Sequence, residues 1–86
     1  MSNLTGKVAI VTGGNSGIGY ASAKEFKARG AQVAITGRSA ERVEIAAAEL
    51  GVKGYVADVN NLSAIDQLVN QVTSDFGKVD ILFVNA

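Results

Sequence analysis

The sequence predicts an α/β protein, a doubly wound parallel sheet of four strands in the order 3-2-1-4 with three helices. Three observations carry that expectation. Short apolar runs rich in β-branched residues recur at 8–11, 33–36, 55–56 and 81–84, each compact enough for a strand buried on both faces. Helical patterns separate them, with no proline and no hairpin signal. Strands that alternate with helices imply parallel pairing through right-handed crossovers.

The elements follow in order. After the strand at 8–11, Ile18, Ala21, Ser22 and Phe26 fall in one arc of a helix that stops before Gly30. The strand at 33–36 leads to Ser39, a cap for a second helix that carries Val43, Ala46, Ala47 and Leu50 and stops at Gly51. Beyond Tyr55 and Val56, the third helical pattern is the clearest: Ile65, Leu68, Val69, Val72 and Phe76, ended by Gly77. Ile81 to Val84 form the fourth strand, followed by Asn85 and Ala86.

At 86 residues the chain has room for one small domain of marginal stability. Eight basic and eight acidic side chains balance without runs, which argues against nucleic acid or an anionic membrane as the main partner. Neither cysteine nor histidine is present, so disulfides, thiolate zinc sites and histidine-based triads are excluded. The N-terminal apolar run is too short for a signal peptide core or a membrane span, and the expected location is the cytoplasm.

The stretch Thr12-Gly13-Gly14-Asn15-Ser16-Gly17-Ile18-Gly19 joins the first strand to the first helix. Glycine at the strand end permits a tight turn, glycine at the helix start lets backbone approach a pyrophosphate, and glycine within the helix lets it pack against the sheet. Free N–H groups at the helix start would face the phosphates. Such a cluster can also be a mere connection, but a complete βαβ unit around it is the context a dinucleotide fingerprint requires. No Gly-Lys-Ser/Thr follows, so the mononucleotide phosphate loop does not fit.

The spacing T-G-x-x-x-G-x-G, with Ala57-Asp58-Val59 after the third strand and Asp80-Ile81-Leu82 leading to Asn85-Ala86, resembles the short-chain dehydrogenase/reductase family along the whole chain. The resemblance implies a Rossmann-type sheet and an oxidoreductase that transfers hydride between a nicotinamide cofactor and a carbonyl or alcohol. It assigns Asp58 to the adenine ring and Asn85 to support of the central sheet beside the cofactor. Thr12, Gly13, Asn15, Ser16, Gly17, Ile18, Gly19, Arg38, Ser39, Asp58, Val59, Asn85 and Ala86 are the expected cofactor-binding residues. Val84 stands where the family often has an asparagine, and the glycine expected after Ala86 is not in the sequence. On the residues alone, Asp58 could equally cap the third helix or end a strand, and Asn85 could be a strand-end amide.

An NAD site usually carries an acid at the end of the second strand, about 20 residues beyond the glycines. Here the segment reads Thr36-Gly37-Arg38-Ser39, and Arg38 offers a planar donor fork to a 2'-phosphate. NADP(H) is favoured over NAD(H), the alternative for Arg38 being a solvated loop residue.

The family's proton-transfer pattern, Tyr-x-x-x-Lys, is spelled at Tyr20 and Lys24. Its place on the first helix, opposite the Ile18–Phe26 arc and facing solvent, argues against a catalytic role. The resemblance puts the working pair and its serine beyond the strand that would follow Ala86. Residues 1–86 are therefore expected to be the N-terminal dinucleotide-binding half, inactive alone, with a bare sheet face under the third helix. The open edge of strand 4 would invite self-association or a completing chain. A freestanding nucleotide-binding module and an inert fragment are the alternatives.

Overall fold

Val8, Ala9, Ile10, Val11 and Thr12 are five consecutive buried residues, and they form β1 (Val8–Thr12), the strand around which everything else is arranged. In this computed structural model, which describes residues 3–15, 17–58 and 60–85, the chain continues through α1 (Gly17–Ala28), β2 (Gln32–Gly37), α2 (Ala40–Leu50), β3 (Lys53–Val56), α3 (Leu62–Phe76) and β4 (Ile81–Phe83). All pairings are parallel and the strand order is β3-β2-β1-β4, as the sequence predicts. Thr12 faces Thr36 across the β1–β2 ladder, and Val11 faces Phe83 across the β1–β4 ladder.

Alternation along the strands divides the core into two layers. Val11, Val33 and Ile35 point to the α1/α2 side, where they meet Ala23, Val43, Ala46 and Ala47. Val8, Ile10, Ala34 and Tyr55 point to the other side and pack under Leu68 and Val72 of α3. The expectation of a bare sheet face under α3 is thus corrected: Tyr55 fills that face, and its hydroxyl is bonded to Asp75. Leu82 and Val84 near the β4 edge do remain exposed.

The caps of α2 are where the sequence puts them. Ser39 accepts from the Arg42 amide at the start, and Gly51 closes the end at a φ of 70°. Gly77 ends α3 similarly at 90°, but the N-cap is Asn61, not Asp58. Asp58 instead accepts from the Asn60 amide within the loop.

The buried face of α1 also differs from the arc drawn through Ile18. Gly19 and Ala23 are buried, Tyr20 and Phe26 pack beside them, and Ile18 is 71% exposed. Small residues at i and i+4 let the helix lie close to the sheet, and they carry no apolar signal by which to find that face. No helix among the described residues is long and apolar enough to cross a membrane.

Candidate functional site

Where β1 and β2 end side by side, the chain leaves the sheet into two loops, and a cleft of about 460 Å³ opens between them. This is the carboxyl end of a parallel sheet, at the strand where the order reverses, which is where such sheets bind ligands. Gly13 and Asn15 border the cleft from the loop after β1; Thr36, Gly37, Arg38, Ser39 and Arg42 border it from β2 and α2; Asp58 and Asn60 border it from the loop after β3. Asn85 completes it from the end of β4.

The glycines shape the first loop. Gly13 has a φ of 66° and Gly17 a φ of 59°, both left-handed, and a β-carbon at Gly17 would project into open space. A β-carbon at Gly19 would overlap the Gly13 carbonyl, so the helix start and the strand end are in direct backbone contact there. Gly14, in the loop before the helix, is equally close to the sheet: its added β-carbon would meet Ile35, and its amide donates to the Thr36 carbonyl at 3.1 Å.

Thr12 is fully buried and holds β4 in place. Its hydroxyl accepts from the Asn85 amide at 2.8 Å, and its own proton is directed at the carbonyls of Asn85 (3.3 Å) and Phe83 (3.4 Å). Asn85, locked this way, rests its side chain against Gly13 and Gly19. Both residues therefore organise the loop from behind.

Asp80 anchors the other end of β4. Its carboxylate accepts from the Val8 amide at 2.9 Å while its own amide donates to the Val8 carbonyl, and Lys78 pairs with it at 3.1 Å. The Val8 amide first, and then Lys78, hold its pKa below the ordinary carboxylate value.

Arg38 and Arg42 are both exposed, and among the described residues neither guanidinium has a hydrogen-bond or ion-pair partner. Sequence reasoning found Arg38 and missed Arg42. A signal was available: a cation in the first turn of a helix opposes the helix dipole, and a residue that breaks a local rule is a candidate for function. Thr36 was also missed. It lines the cleft floor fully buried, and its Oγ1 has no hydrogen-bond partner.

Ile18, Gly17 and Gly19 follow the loop at the start of α1 and do not line the cleft itself; Ser16, Val59 and Ala86 lie outside the described residues. Tyr20 does not face solvent, as its place in the sequence suggests. It packs half-buried against the α1/α2 layer with its hydroxyl 3.4 Å from Glu49. Desolvation first, and then the Glu49 carboxylate, push its pKa up, away from what a proton donor near neutral pH requires. Lys24 is exposed, and neither residue of the pair borders the cleft.

A model of the short chain dehydrogenase family matches residues 7–86. The chain is 42% identical over 85 residues to a 3-oxoacyl-[acyl-carrier-protein] reductase of Haemophilus influenzae, covering 96% of this chain and 35% of that protein. To a D-threitol dehydrogenase of Mycolicibacterium smegmatis it is 39% identical over 88 residues, covering 96% of this chain and 34% of the relative. Among solved structures, a short chain dehydrogenase from Mycobacterium smegmatis superimposes with a TM-score of 0.91 at 32% identity, over 96% of this chain and 38% of the other. The chain thus spans about a third of the length of the curated relatives it matches.

Proposed function

Because the chain belongs to the short-chain dehydrogenase/reductase family, we propose that these residues are the NADP(H)-binding half of an oxidoreductase acting on a carbonyl or alcohol. The observation that carries the choice of dinucleotide is the pair of unpartnered guanidiniums, Arg38 and Arg42, on one wall of a cleft whose β2 end is Gly37 and not an acid. Arg38, in the loop before the Ser39 cap, and Arg42, in the first turn of α2, both border the cleft, and a 2'-phosphate is an anion with oxygens enough for both forks.

The remaining features fit the same group. The backbone around Gly13 and Gly17 gives a pyrophosphate close approach, with the first amides of α1 beside it. Asp58 and Asn60 border the part of the cleft left for the adenine. Thr36, at the end of β2, also borders the cleft, and its hydroxyl has no partner among the described residues. When bound, the cofactor supplies or accepts the hydride. These residues hold and orient it; the proton donor and the substrate pocket are contributed from outside residues 1–86.

Titration with NADPH and NADH tests the reading directly. Replacing Arg38→Asp should weaken NADPH by about 100-fold, while Arg42→Gln should weaken it about tenfold, with NADH little changed by Arg42→Gln. An unaltered NADPH to NADH ratio in both variants would remove the arginines from the site.

A further inference from the structure

The place from which an acid would accept the ribose hydroxyls of NAD is the end of β2, and β2 ends at Gly37. That place is already filled. A β-carbon added to Gly37 would lie 2.9 Å from Val43 Cγ2 and 2.7 Å from the Asn15 Oδ1 tip, closer than side-chain packing permits, and 3.2 Å from Asn15 Cγ, so both side chains would have to move.

Val43 has little freedom to yield. It is 1% exposed, and its other methyl, Cγ1, stands 2.7 Å from where a β-carbon on Gly54 would be. The side chain thus straddles two glycines, Gly37 on β2 and Gly54 on β3, with one methyl over each. A valine in a helix has one strongly preferred rotamer, so neither methyl can swing clear without moving α2. Asn15 closes the same space from the loop after β1.

We propose that Val43 and Asn15 set the dinucleotide preference by exclusion: together they keep the end of β2 at glycine, deny the site an acid, and leave the 2'-position to the arginines. This rests on the NADP(H) reading above and adds a steric half to its electrostatic one. Val43 acts through Gly37 without touching the cofactor, so it is a positioning residue.

The test is titration of reduced dinucleotides into the full chain, followed by nicotinamide fluorescence. Gly37→Asp alone should weaken NADPH by about tenfold or more and leave NADH within about threefold of the parent, because the new carboxylate cannot take its place. Gly37→Asp combined with Val43→Ala and Asn15→Gly should bind NADH about tenfold more tightly than Gly37→Asp alone. An equal NADH gain in the single variant overturns the proposal, and so does no gain in the triple.

If the aspartate variants fail to fold, Gly37→Ala carries the test through thermal unfolding. Its loss of Tm should be smaller in the Val43→Ala/Asn15→Gly background than in the parent, and equal losses overturn the packing argument. A parent chain that binds neither dinucleotide at millimolar concentration overturns the NADP(H) reading and the selectivity claim with it. The Gly37→Ala comparison then still reports separately on whether the space is closed.

Discussion

Thr12 and Thr36 are partners across the β1–β2 ladder, equally buried and at the same level of the sheet, yet their hydroxyls are in opposite conditions. The Thr12 hydroxyl receives the Asn85 amide and reaches two carbonyls of the chain after it, while the Thr36 hydroxyl has no partner. The first belongs to the wall between β1 and β4, where every polar atom named is used to fix the backbone. The second sits at the end of β2 on the α3 side of the sheet, and it shares its lack of a partner with Arg38 and Arg42 of the β2–α2 segment that borders the same cleft. A buried polar atom that gains nothing from its own fold costs stability, and its presence calls for an explanation that the packing alone does not give. The lesson is that the two halves of one cleft can be told apart by hydrogen-bond satisfaction before any ligand is considered.

The largest break in that comparison is expected on the satisfied side. Gly19→Ala forces a methyl into the Gly13 carbonyl and should destabilise by about 3 kcal/mol, with a clear fall in Tm. Should Gly19→Ala leave Tm unchanged, the close contact between helix start and strand end is not there. Next comes Thr12→Val, which keeps shape but strips the Asn85 amide of its acceptor; the expected cost is about 2 kcal/mol by denaturant unfolding.

A smaller effect, visible in its pH dependence, is expected from Asp80→Asn. The folded pKa of Asp80 lies below its unfolded value, so its contribution is fully present above the unfolded pKa of about 4 and disappears as pH falls through the folded value. Asp80→Asn should therefore lower stability at neutral pH and flatten its decline on acidification; equal acid slopes in the two proteins would contradict the Val8–Asp80 link. The smallest effect should be Thr36→Val. With no bond to lose, it should alter stability by no more than about 0.5 kcal/mol and in the stabilising direction. A loss matching that of Thr12→Val would erase the distinction between the walls.

Much of this arrangement is legible in the sequence, for reasons that can be named. The caps at Ser39 and Gly51 and the stop at Gly77 follow from local chemistry acting on the residues that carry it, and the strand order follows from the doubly wound pattern of alternating strands and helices. The α1 face is not legible, because its buried positions are Gly19 and Ala23, whose small side chains give no apolar period, while Ile18 advertises a face that is open. In the cleft, Arg38 is found by the missing acid beside it. Arg42 is one turn further on, where a scan for loop residues has already ended, and the filling of the space over Gly37 by Val43 is a long-range contact that no spacing rule encodes.

The strand order β3-β2-β1-β4 also sets how far along the chain each side of the cleft must reach for its partners. Residue 8 meets residue 32 to begin the β1–β2 ladder, but Val8 must find Asp80, 72 residues away, to fix β4. Closing a loop three times as long costs about 1 kcal/mol more in chain entropy. The arginine side of the cleft is therefore built from near neighbours, and the Thr12–Asn85 side from contacts of high sequence separation, the kind whose closure costs the most chain entropy. One half of the cleft is thus local in the chain, while the half that holds the glycine loop in shape depends on the two ends of the described residues coming together.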